Sequence, residues 1–362
     1  MINNTHNSFN NAKYTATTFN ESYRSKCYTW KIIFTILLIV ILLLGVVGNS
    51  LVIMAARNSI QLQKRIATIF IVSLAFSDLT IGISQIPLKI YFELNSNVWY
   101  KSVCYYYFMS DAIGYVANIL SLFAIVIDRF ILLQIPFWYN NLLSSMKAKL
   151  LVISIWIFSF GWGILCIFSW TRLTVSTISI ENKSCVNDNY VFYATSFFGI
   201  YGPVLFIMTI SYTSFMILIH RHIKAIKLTE IKNNVVKLNR EIKATKTVAV
   251  IYLSFLISYF PSCVINGMIF VDPKYFPNLK SKKKLLIQLI FYIFIEILPV
   301  ISTAANPLIY SFMDKNFRNE FKRIIYRMSL KVGVKIKQPE LKLKRRRIQK
   351  HINSLHTIKN IN

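Results

Sequence analysis

Residues 109–133 read MSDAIGYVANILSLFAIVIDRFILL, an apolar run interrupted by charge at Asp111 near its start and at the pair Asp128-Arg129 near its end. Asp111 and Arg129 stand 18 residues apart, which at 1.5 Å of rise per residue is about 27 Å along a helix. The hydrocarbon core of a bilayer is about 30 Å thick. One helix therefore carries a carboxylate near one membrane face and an acid-base pair near the other.

The rest of the chain fits that solvent. Of 362 residues, 55% are hydrophobic and 15% charged, and the mean hydropathy of +0.48 is too high for a water-soluble protein of this size. Seven runs are long enough to span, at about 32–56, 67–91, 104–133, 149–171, 190–219, 246–271 and 285–312. They are continuous rather than alternating, which argues against a β-barrel. The expected fold is an all-α membrane protein, a seven-transmembrane helix bundle. It divides into a polar tail at 1–31, the bundle with a short amphipathic eighth helix at 32–328, and a basic tail at 329–362.

Orientation follows from Lys and Arg. The connection 221–247 holds eight of them and the tail from Lys315 onward fifteen, which places both in the cytoplasm. With seven spans the N-terminus lies outside, at the plasma membrane. Glycosylation sequons at Asn3, Asn20 and Asn182 all fall on that outer side, whereas Lys280, Lys282, Lys283 and Lys284 run against the charge rule. Residues 1–26 lack the pattern of a cleavable signal, so the first span is expected to direct insertion. The net charge of +28, including Lys344-Arg345-Arg346-Arg347, is read as attraction to anionic membrane lipids, with no nucleic acid as partner.

Four of the fourteen acids lie inside the spans: Asp78, Asp111, Asp128 and Glu296. Each costs at least about 2.5 kcal/mol at that depth, which marks it for function. Asp111 calls for a cation, either a protonated amine ligand or an internal partner such as a Tyr hydroxyl or a Lys. Lys and Arg are expected outside the outer halves of the other spans, which favours the ligand. Tyr107 and Tyr115 lie four residues either side of Asp111 and share its face, placed for cation–π contact or for plain packing. His6, His220, His222, His351 and His356 all fall outside the bundle interior and no CxxC occurs. That disfavours a buried histidine metal site, a catalytic triad and an enzyme.

The motifs add up to a resemblance. Cys104, Asp111 and Asp128-Arg129-Phe130 in the third span are similar to those of rhodopsin-like (class A) G protein-coupled receptors. So are Gly48-Asn49 in the first span, Leu74-Ala75-Phe76-Ser77-Asp78 in the second and Trp156 in the fourth. Pro203, Phe255, Pro261 and Asn306-Pro307-Leu308-Ile309-Tyr310 complete the set in the last three. Within that family the chain most resembles biogenic-amine receptors of the histamine or muscarinic type, where a carboxylate at the Asp111 position pairs with the ligand ammonium.

The resemblance implies a small-molecule receptor, and no enzyme, that activates heterotrimeric G proteins when the sixth helix swings outward. It implies a latch from Arg129 to Asp128 and Glu241, with Asn306, Pro307 and Tyr310 in the switch. It further implies a polar cluster of Asn49, Asp78, Asn118, Ser302 and Asn306 around a sodium ion or ordered waters, and a disulfide between Cys104 and Cys185. Thr195 and Ser196 fall where amine receptors hold the polar end of the ligand, although such hydroxyls also bond their own backbone. Glu296 is unusual there. Two carboxylates in one cleft repel, so the ligand has two basic centres, or Glu296 is protonated or capped by the Lys280–Lys284 cluster. Tyr259 stands in place of the family's usual tryptophan, Ser262 and Cys263 in place of an aromatic pair, and Val300 in place of a tyrosine, while Tyr212 lies one place past the expected tyrosine. These departures leave open a peptide or another non-amine ligand.

Overall fold

The computed structural model describes residues 2–94, 100–168, 178–181, 184–187, 190–226, 245–262, 264 and 293–332. Helix α1 covers Ile2–Asn58. Helix α2 comprises Ile66–Thr80, a wide π turn at Ile81–Gln85 and Ile86–Leu94. Helix α3 is Lys101–Gln134 and α4 is Ser145–Cys166. A hairpin of β1 (Ile178–Glu181) and β2 (Ser184–Asn187) precedes α5, which runs through Tyr190–Thr195, a π turn at Ser196–Tyr201 and Gly202–Ile226. Helix α6 is described over 245–262. Helix α7 is described from a π turn at Ile293–Ile297 and continues as Leu298–Met313, and α8 is Lys315–Val332.

Five of these helices are long and apolar enough to cross a membrane among the described residues, over Thr29–Asn58, Ile66–Phe92, Ser102–Gln134, Ser145–Cys166 and Val191–Phe215. Helix α1 begins at Ile2, ahead of its membrane-spanning part, which at Thr29–Asn58 covers the expected span. Its extension passes through Asn- and Thr-rich sequence of low helix propensity, where adding residues to an existing helix is far cheaper than nucleating one.

Large apolar side chains cover the outside: Leu43 and Val47 on α1, Ile157 and Phe160 on α4, Phe198 and Phe206 on α5. The interior holds polar residues among the apolar ones, including Asn49, Ser73, Ser77, Asp78, Asn118, Ser121 and Asp128. This is the distribution expected where lipid replaces water, since burial of apolar surface no longer separates inside from outside and polar contacts between helices do. Helix α3 runs through the centre and packs on α2, α4 and α5.

Close approach of α1 to α7 depends on Gly48. A Cβ there would stand 2.7 Å from Cβ of Pro307. At its N-terminal end, α4 is capped by Ser144, which accepts from Lys147 N at 3.3 Å. Helix α8 is pinned by Phe317, whose ring lies 5.2 Å from that of Tyr310.

Candidate functional site

The site is built in three layers along α3. In the middle, Asp78 on α2 is 1% exposed. Asn118 Nδ2 of α3 donates to its Oδ1 at 2.7 Å and Asn306 Nδ2 of α7 to its Oδ2 at 2.8 Å. Asn118 also reaches Ser77 Oγ at 3.2 Å. Asn49 Nδ2 donates to the carbonyls of Gly45 and Thr303 at 2.9 and 2.8 Å. The second of these bonds and the Gly48–Pro307 contact are one seam. Ser302 donates to Pro299 O at 2.8 Å.

At the inner end, Asp128 and Arg129 form an ion pair at 2.9 Å, with Asp128 fully buried. Tyr139, on a short helical turn after α3 (Tyr139–Leu142), donates its hydroxyl to Asp128 Oδ1 at 2.7 Å. Sequence reasoning missed this bond, because a loop tyrosine 11 residues past the acid leaves no periodic signal. Tyr212 turns inward, stacked on Tyr252 of α6 with ring centroids 4.6 Å apart, and Tyr252 in turn shares a 2.7 Å hydrogen bond with Thr209 of α5. Glu241 lies outside the described residues.

At the outer end, Asp111 is partly exposed. Tyr115, one turn deeper, meets Tyr259 of α6 edge-on at 5.3 Å, and Tyr259 stacks on Phe255 at 4.1 Å. Tyr259 lies within electrostatic reach of both Asp78 and Asp111. Tyr107 packs its ring between Phe92 and Phe108. Thr195 donates to Val191 O at 2.8 Å. Ser196 donates to Phe192 O at 2.8 Å and accepts from Trp162 Nε1 at 3.1 Å, so both hydroxyls are engaged within the protein.

The sequence matches the family described as 7 transmembrane receptor (rhodopsin family) over residues 48–310. The chain belongs to that family. Among its relatives, the adenosine receptor A2b of Rattus norvegicus is 28% identical, covering 81% of this chain and 89% of its own length. That of Bos taurus is 28% identical over 79% and 87%, and that of Homo sapiens 26% over 81% and 89%. A receptor of this family is not an enzyme, and the expected biogenic-amine subtype is not what these relatives are named for.

In this rhodopsin-family receptor the central carboxylate is held by an amide on each oxygen. Both oxygens of Asp78 face amide N–H donors, the Ser302 hydroxyl hydrogen points at its own helix, and the Asn49 amide is turned to α1 and α7. The side-chain oxygen of Asn49 is buried and accepts no hydrogen bond among the described residues.

One expectation fails at Lys89. It lies in the outer half of α2 and is only 7% exposed, so a basic residue does share the outer half of the bundle with Asp111. The signal was present: Asp78, Gln85 and Lys89 recur at seven and eleven residues, which on a 3.6-residue helix is one face. Cys104 takes part in a disulfide. Of its expected partner Cys185 only the backbone, in β2, is described, and the side chain of Glu296 and all of Asn182 lie outside the described residues. Asn3 and Asn20 fall in the extension of α1.

Proposed function

We propose that this receptor lies in the plasma membrane with its N-terminus outside and takes a small organic ligand in the outer half of the bundle. It answers by swinging α6 outward to admit a heterotrimeric G protein. The observation that carries the reading is the aromatic stack from Tyr115 through Tyr259 to Phe255, which couples the neighbourhood of Asp111 on α3 to the core of α6. A ligand that moves Tyr115 or Tyr259 works directly on the helix that opens, and a packed bundle of this kind changes by rigid-body steps between two packings. Arg129 with Asp128, and Glu241 on the approach to α6, form the closing latch in this reading. The Cys104–Cys185 disulfide ties α3 to the outer hairpin, and Asn3, Asn20 and Asn182 carry glycans.

Two ligand chemistries compete. Asp111 suits a protonated amine through a charge-assisted hydrogen bond, with Tyr107 and Tyr115 beside it. An uncharged nucleoside is the second reading, supported by relatives named as adenosine receptors and by the buried Lys89, which already brings a positive charge to this end. G protein activation in cells, with histamine, acetylcholine, serotonin, dopamine, octopamine, tyramine and adenosine tested on wild type and Asp111→Asn, separates them. An amine response lost in the variant at equal surface expression supports the first. An adenosine response that survives the variant supports the second. Silence to all seven from a well-expressed receptor sinks both.

A further inference from the structure

Helix α7 has a joint at Pro307. A proline has no N–H, so Thr303 O loses its helical partner and accepts from Asn49 Nδ2 at 2.8 Å instead. On one side of this break, Asn306 is held by Asp78 at 2.8 Å. On the other, Tyr310 is 2% exposed, and its hydroxyl has no hydrogen-bond partner among the described residues. A buried hydroxyl left without a partner is costly. The segment from Pro307 to Met313 is therefore not settled by its own contacts, and its place is fixed from its far end.

That end is Asp314, the single residue between α7 and α8. Its N–H closes α7 on Tyr310 O at 3.0 Å, and its carbonyl accepts from Arg318 N at 3.0 Å to open α8. The carboxylate is shared out: Oδ1 accepts from Asn316 N at 2.8 Å, and Oδ2 accepts from Arg65 Nη1 at 2.9 Å. Arg65 is the extended residue that precedes α2. Its N–H donates to Leu62 O and its carbonyl accepts from Thr68 N, each at 3.0 Å, so its backbone is already ordered and pairing costs less freedom than in an open loop. The ring of Phe317 on that of Tyr310 at 5.2 Å makes α8 and the end of α7 move as one.

We propose that Arg65 and Asp314 form a second closing latch, which pins the inner end of α7 and the root of α8 to the start of α2 in the resting receptor. Releasing it lets the segment beyond Pro307 turn until the Tyr310 hydroxyl finds a partner, and so favours the open packing. This latch stands apart from Arg129 and α6. The inference rests on the closed and open packings proposed above, and the test keeps the two apart.

The test has two arms on the full-length receptor. In detergent, amide hydrogen exchange over residues 308–323 reads the joint without ligand or G protein. Arg65→Met and Asp314→Asn should each speed exchange there several-fold, and the double variant no further, because one contact is lost only once. Asparagine keeps the oxygen that caps α8, so Asp314→Asn removes the charge and spares the cap. Arg65→Lys keeps the charge and should retain most of the protection. In cells, ligand-free G protein activation at matched surface expression should rise about threefold in each single variant. The double variant should rise no higher, and Arg65→Lys should stay near wild type. Unchanged exchange in Arg65→Met, or effects that multiply in the double variant, would overturn the pair. Faster exchange with flat basal signalling, in a receptor that Tyr139→Phe does activate, would overturn the latch and leave the proposed function standing. Coupled exchange with silence from wild type and every variant would sink the proposed function and reduce the pair to a structural tie.

Discussion

At the scale of single residues, Asp78 shows how a charge is made tolerable far from water. Two amide donors at 2.7 and 2.8 Å do what solvent would do, and a hydrogen bond to a charged group is worth about 1.5–3 kcal/mol. Asn118→Ala removes one donor and leaves Asp78 Oδ1 bare in the bundle. It should lower the melting temperature of the purified receptor by several degrees. An unchanged melting temperature would mean that another donor takes the place of Asn118. The members of this layer were legible in the sequence as isolated polar residues in apolar runs. Which atoms face which was not, because Asn49 and Ser302 had backbone carbonyls as alternative partners, and the fold gave them those. Lys89 was legible by period but masked by its place near the end of a span, where lysine is ordinary. Burial, which makes it unusual, is a tertiary property.

At the scale of elements, the α1–α7 seam depends on one missing methyl. Gly48 lets the helices approach until Pro307 occupies the space of a Cβ, and the same approach brings Thr303 O to Asn49. Gly48→Val would force the helices apart and break that hydrogen bond. Overpacking a tight contact costs about 1–3 kcal/mol, so the variant should show clearly reduced surface expression and a lower melting temperature. Expression and melting equal to wild type would mean that α1 packs elsewhere on α7. The spans themselves were readable from run length, because about twenty apolar residues have one use in a bilayer. The three π turns among the described residues, at Ile81–Gln85, Ser196–Tyr201 and Ile293–Ile297, were not readable. Such widenings answer to local strain and packing, and the sequence pattern assumes an unbroken 3.6-residue turn.

At the scale of the whole molecule, the proposed activity is a balance between two packings of the same helices, and any contact made in only one of them would shift the balance. The inner end of α3 is held on two sides. Arg129 is paired with Asp128, and Asp128 is held by the hydroxyl of Tyr139. The proposed outward movement of α6 would also part Tyr252 from Thr209 and Tyr212. If Tyr139 holds Asp128 only in the closed packing, its hydroxyl contributes to the energy gap between the two states. Tyr139→Phe keeps the ring and removes only that hydrogen bond, so folding is spared while Asp128 loses one anchor. A closed state weakened by about 1.4 kcal/mol raises the open-to-closed ratio tenfold, and a bond to a carboxylate is of that size. Ligand-free G protein activation should therefore rise several-fold at matched surface expression. Unchanged basal signalling would mean that Tyr139 keeps its hold on Asp128 in both packings, and that the resting state is secured on the α5–α6 side instead.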